Sequence, residues 1–166
     1  MKKMIIATAA IALALPTAAQ AKAVEPGDMH GLKSVEGQIG LAWLSAMFME
    51  CDNPNSVREM FEKYVSRDQY YNHPVVPGSD GSWQQEMEAE VRVSAGVCAK
   101  NPVIRVAKVV SSGDLVVIQA SIGNDDRPNP SGLTEWFRIK DGKIVDHWDM
   151  SRRMESKDMQ MFENRN

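Results

Sequence analysis

The chain has 166 residues, 19 basic and 22 acidic side chains and a formal net charge of −3, so it can build one sizeable core and carries no basic excess for nucleic acid or anionic lipid. Its three histidines, His30, His73 and His147, lie in separate elements, and neither Cys51 nor Cys98 joins them at metal-ligand spacing, so no metal is expected. No glycine-rich phosphate loop is present, which argues against a nucleotide.

Residues 1–21 read as a secretory signal: Lys2 and Lys3, an apolar run from Met4 to Leu15, Pro16, then the small-residue pattern Ala19-Gln20-Ala21. That run is too short for a permanent span, and no later segment approaches the roughly 20 apolar residues that spanning requires. The expected product is therefore secreted, into the periplasm, with no membrane partner. Residues 22–36, with Pro26, Gly27 and Gly31, read as an extended leader. Residues 37–154 read as the domain, and 155–166 as a polar tail.

Within the domain, Ile39, Trp43, Ala46, Met47 and Met49 follow helical spacing from Gln38 to Glu50, and the pattern stops before Asp52-Asn53-Pro54-Asn55. Ser56 is placed to cap a second helix through Val57, Met60, Phe61 and Tyr64. The segment from Asp68 to Gly81 is polar and rich in turn formers. Ser82 then caps a third helix containing Trp83, Met87, Val91 and Ala95, ending near Gly96. The second half changes period: β-branched runs Val103–Val110 and Leu115–Ile122 precede a hairpin from Thr134 to Met150. Helices first and strands afterwards indicate an α+β fold. Three N-terminal helices would cover a curved antiparallel sheet of three or four strands, giving a cone-shaped α+β barrel with a pocket inside.

The two cysteines face an oxidising compartment if the chain is exported. A Cys51–Cys98 bridge would stabilise by roughly 4 kcal/mol on the chain-entropy model; two separate buried thiols are the alternative.

Asp141-Gly142 between strand-like runs is a strong hairpin signal, because both loop residues must tolerate positive φ. Pairing Lys140 with Lys143 sets Ile139 opposite Ile144, Phe137 opposite Asp146, Glu135 opposite Trp148 and Leu133 opposite Met150. Strict alternation then puts these eight on the greasier face, with Glu135 carried into the core. Thr134, Trp136, Arg138, Val145, His147 and Asp149 would share the other face and point away. Asp149 reaches the pocket only if a β-bulge intervenes.

The passage YYNHPVVPGSDG after a short helix, with FRIKDGKIVDHWD near the end, resembles the SnoaL-like branch of the nuclear transport factor 2 superfamily over roughly Gln38 to Met154. The resemblance implies a cone with a deep apolar pocket, frequent dimers, and isomerases, cyclases, dehydratases, epoxide hydrolases and C–C lyases that use no cofactor, alongside members with no activity. In the ketosteroid isomerase relatives, an aspartate base precedes a proline where this chain has His73 before Pro74. A protonated acid there sits two residues before a Phe, where this chain has Glu135 before Phe137. The helix-one tyrosine of those relatives has no equivalent; Trp43 and Met47 occupy the neighbourhood.

On that reading His73 is the base, since imidazole titrates near neutrality, and Glu135 steadies a developing oxyanion. Tyr71 or Tyr70 supplies a phenol or stacks on an aromatic ligand, and Asp149 is a further acid. Trp43, Met47, Phe137 and Trp148 shape a pocket for a small hydrophobic or aromatic molecule. The competing readings are a turn histidine at His73, an ion pair of Glu135 with Arg92 or Arg105, a non-catalytic binding module, and a cone plugged by its own side chains. The outward stripe of Trp136, Arg138, Val145 and His147 suits a homodimer contact through the outer sheet face.

Overall fold

A computed structural model describes residues 33–123 and 130–153. The expected signal, most of the leader and the tail lie outside the described residues. Three helices, α1 (Val35–Phe48), α2 (Ser56–Tyr64) and α3 (Trp83–Cys98), pack on one face of a five-stranded sheet in the order β1-β5-β4-β3-β2. Its strands are β1 (Tyr71–His73), β2 (Val103–Ser112), β3 (Leu115–Gly123), β4 (Ser131–Lys140) and β5 (Lys143–Arg153).

Helix α1 starts before the expected position, because the Ser34 hydroxyl accepts from Gly37 N at 2.9 Å and caps the first turn. It lies close against the sheet at Gly40, where a Cβ would stand 3.1 Å from Val116 and 3.3 Å from Phe137, so a side chain here would push the helix off. Ser56 does not cap α2; its hydroxyl donates instead to the Ala46 carbonyl at 2.9 Å, tying α2 to α1. Ser82 caps α3 as the sequence indicates. Trp43, Leu44, Met47, Phe61, Ile118, Phe137 and Ile144 are the largest wholly buried apolar side chains, filling the space between helices and sheet.

Strand β1 arises inside the polar segment that the sequence presents as turns. It is only three residues long and pairs parallel to β5, Asn72 opposite His147 and His73 opposite Trp148. The remaining strands form the antiparallel ladder that was expected. The 51–98 disulfide is present, its Cα atoms 5.3 Å apart, and it fastens the end of α3 to the turn after α1.

The β4–β5 register departs from the simple alternation in one place. Asp141 and Gly142 take positive φ of 50° and 72°, and Lys140–Lys143 and Ile139–Ile144 pair as expected. Val145 is then skipped, so Arg138 meets Asp146, Phe137 meets His147, Trp136 meets Trp148 and Glu135 meets Asp149. The extra residue shows as two consecutive buried side chains, Ile144 and Val145, which strict alternation cannot accommodate. Beyond that bulge every β5 side chain changes face.

Candidate active site

The bulge turns His147 and Asp149 to the helix-covered side, alongside Glu135, and sends Trp148 and Met150 to the other. A cavity of about 360 Å³ opens there between α1, α3, the segment after β1 and strands β3 to β5. Its apolar wall includes Trp43, Met47, Phe48, Val93, Val97 and Leu133; among the described residues Glu90, Glu135, His147 and Asp149 are its ionisable groups.

Glu135 and His147 are 2 % and 3 % exposed, and Oε2 of the carboxylate lies 2.6 Å from Nε2 of the imidazole. The ring is held between Trp43, 4.4 Å away, and Phe137, which stacks on it at 5.0 Å with the planes 9° apart. Burial by itself would lower the His147 pKa. The adjoining Glu135 charge and hydrogen bond, with Glu90 and Asp149 behind them, outweigh that and hold it above the ordinary value. With the imidazole charged, Nε2–H donates to Glu135, and Nδ1 is a buried donor without a partner among the described residues.

A second set of acids comes from α3. Glu86 and Glu90 stand one turn apart on its buried stripe, and the Asn72 amide of β1 donates to both, at 2.9 Å and 3.1 Å. Burial pushes Glu90 up to about 7; the negative charges of Glu135, Asp149 and Glu86 add to this, while His147 opposes it. Tyr70, buried beside this group with its hydroxyl unpartnered among the described residues, is raised well above the usual phenol range by burial and by the same carboxylates. It stays a neutral donor.

The residues singled out from sequence divide between two faces. Trp43, Met47, Glu135 and Asp149 line the cavity. Phe137 lies beneath His147 as a floor, and Tyr70 sits behind Glu86 and Glu90. His73, Tyr71 and Trp148 are on the opposite side: the His73 ring stacks on Trp148 at 4.6 Å, contacts Tyr71 at 4.2 Å, and places Nε2 3.5 Å from Asp146. The His73 side chain is 36 % exposed, and only its neighbour Pro74 reaches the cavity wall. The partner of Glu135 is His147 rather than Arg92 or Arg105.

Sequence reasoning placed His147 outward because it carried alternation through the bulge. It passed over Glu86 and Glu90, whose signal was available: Trp83, Glu86, Glu90, Val93 and Val97 recur at intervals of three and four, putting two acids on an otherwise greasy stripe. Among the described residues, no group of three or more His, Cys, Asp or Glu side chains is arranged to hold a metal ion, and no helix is long and apolar enough to cross a membrane.

No family model and no curated protein matches this sequence; the likeness is carried by structure. A candidate polyketide cyclase from Bacillus cereus ATCC 10987 superposes with a TM-score of 0.56 at 12 % identity, over 89 % of this chain and 93 % of that one. A candidate isomerase of the SnoaL-like family from Agrobacterium tumefaciens str. C58 gives 0.53 at 13 % identity, over 71 % and 97 %. A candidate polyketide cyclase from Acidithiobacillus ferrooxidans gives 0.51 at 13 % identity, over 73 % and 90 %. The chain therefore shares the fold of these candidate polyketide cyclases and of the SnoaL-like candidate isomerase, in agreement with the SnoaL-like resemblance of its sequence.

Proposed function

We propose that this chain is a cofactor-independent acid/base enzyme of the cyclase, isomerase or lyase type, acting on a small, largely apolar carbonyl or hydroxyl compound. The observation that carries this is the Glu135–His147 pair, 2.6 Å apart at the wall of a cavity it shares with Asp149. Asp149 is the most exposed of the three and is the available base: its carboxylate takes a proton from carbon or oxygen of the bound molecule. The charged His147 ring, kept in place by Glu135 and two aromatic rings, opposes the negative charge that develops on the substrate oxygen. Trp43, Met47 and Leu133 exclude water and favour an apolar skeleton. Enolisation, ring closure by an enolate and retro-aldol cleavage all need this base and this oxyanion partner.

The exported character of residues 1–21 would place the reaction outside the cytoplasm. A second copy would cover the outer sheet face, where Val110, Val117, Trp136, Trp148 and His73 form one row of paired positions across all five strands. Trp136 and Val110 are 39 % and 44 % exposed in the single chain, which supports that contact.

The test begins with mass spectrometry of small molecules consumed by the purified protein. For the substrate so found, Glu135→Gln and Asp149→Asn should each lower kcat by about 10² or more while the fold persists. Full turnover by both folded variants would refute the assignment. Tight binding without turnover would favour a binding module instead.

A further inference from the structure

The described ionisable groups of the cavity do not balance. Among the described residues, Glu90, Glu135 and Asp149 line it against one imidazole, and no described lysine or arginine lines it. The charge of His147 is already met by Glu135 at 2.6 Å. Glu90, 5 % exposed, receives the Asn72 amide on one oxygen and has no described partner for the other; Asp149 makes no ion pair among the described residues. A carboxylate buried beside an apolar wall as Glu90 is costly unless it takes up a proton or meets a cation, and Asp149 stands at the same wall with its charge unmatched by any described cation. Trp43 also lines the cavity, and an indole is the aromatic side chain that attracts a soft cation most strongly.

We propose that the cavity takes a small apolar molecule bearing a protonated or quaternary ammonium group, with Glu90 and Asp149 facing the cation. This deepens the functional reading above and rests on the cavity being the site. An anion would meet two uncompensated carboxylates, and a neutral ligand would leave them unpaired, so charge separates this class from other apolar compounds of equal size.

The binding should also depend on pH. Glu90 is faced by Tyr70 and Asn72 from β1 and the segment before it, by Glu86 on its own helix, by Glu135 from β4, and by His147 and Asp149 from β5. These surroundings leave it about half protonated near pH 7. A cation beside it favours the ionised form, so affinity rises as pH increases through that range.

Calorimetry on the full chain would compare benzyltrimethylammonium with its neutral carbon isostere neopentylbenzene and with the 3-phenylpropanoate anion. The cation should bind about tenfold more tightly than the isostere, and more tightly at pH 8 than at pH 6. Glu90→Gln and Asp149→Asn should each weaken the cation by about three- to tenfold and leave the isostere unchanged, which also shows that the cavity is intact. Equal affinity for the isostere, preference for the anion, or no saturable binding of the cation would overturn the proposal. None of these results depends on turnover, so the acid/base reading stands or falls separately.

Discussion

The two faces of β5 lie a few ångströms apart and follow opposite rules. On the inner face Asp149 borders a site where Glu135 and His147 are buried and paired and the imidazole is held above its ordinary pKa. On the outer face Asp146, Trp148 and the neighbouring His73 form an aromatic, half-exposed surface whose ion pairs are solvent-screened and worth little. One skipped residue, Val145, decides which side chains belong to which face. The same residue types therefore have different energetics, and that contrast can be broken by experiment.

The largest effect should come from the inner pair. His147→Leu leaves the Glu135 carboxylate buried without a partner and should cost about 3–5 kcal/mol in urea unfolding, whereas Glu135→Leu with His147→Leu should recover most of that loss. His73→Ala, on the other face, should stay within about 0.5 kcal/mol. Similar losses for His147→Leu and His73→Ala would mean that the faces do not differ.

Removing the disulfide by Cys51→Ser with Cys98→Ser should cost about 2–4 kcal/mol, read from the same denaturation curves. The bridge anchors the end of α3, whose Glu90, Val93 and Val97 line the cavity, so ligand binding should weaken as well.

A pH series sharpens the inner side further. Glu90 has a folded pKa of about 7 against 4.5 for the free group, so the folded chain holds the extra proton between those values and stability falls as pH rises from about 4.5 to 7. His147, raised by its partners, contributes stability that is complete below its ordinary value of 6.5 and is lost as pH climbs through the higher folded value. Both effects act in the same direction. Glu90→Gln should flatten the lower window, a change of at most about 3 kcal/mol; an unchanged slope would remove Glu90 from the account.

A small effect in the single chain is also expected from Trp136→Glu. It should alter folding stability by less than about 1 kcal/mol, yet in sedimentation it should convert any dimer built on the outer face to monomers. A dimer that survives this change would use another surface.

Much of this arrangement was legible in the sequence. The Ser82 cap, the Asp141-Gly142 loop and the change from helical to alternating period give the elements their order. The β4 alternation places Glu135 inside, where it is found. The bulge was not legible, since a single extra residue leaves the hydrophobic pattern of β5 nearly unchanged: Ile144-Val145 reads equally as a strand running on. Strand β1 was hidden because its pairing depends on β5, far along the chain, while its own composition is that of a turn. Glu86 and Glu90 were passed over because acids on a helix are normally solvated, and only the packed structure shows the Asn72 amide and the sheet closing over them. His73 had the better sequence argument and His147 the better place.

The most direct test of the central claim is nitrogen-detected NMR titration of the imidazoles in the intact protein. The account predicts that His147 titrates above its ordinary value of 6.5, with a hydrogen-bonded Nε2 proton, and that Glu135→Gln brings its midpoint down. An imidazole at 147 that titrates at the ordinary value in both proteins would contradict it.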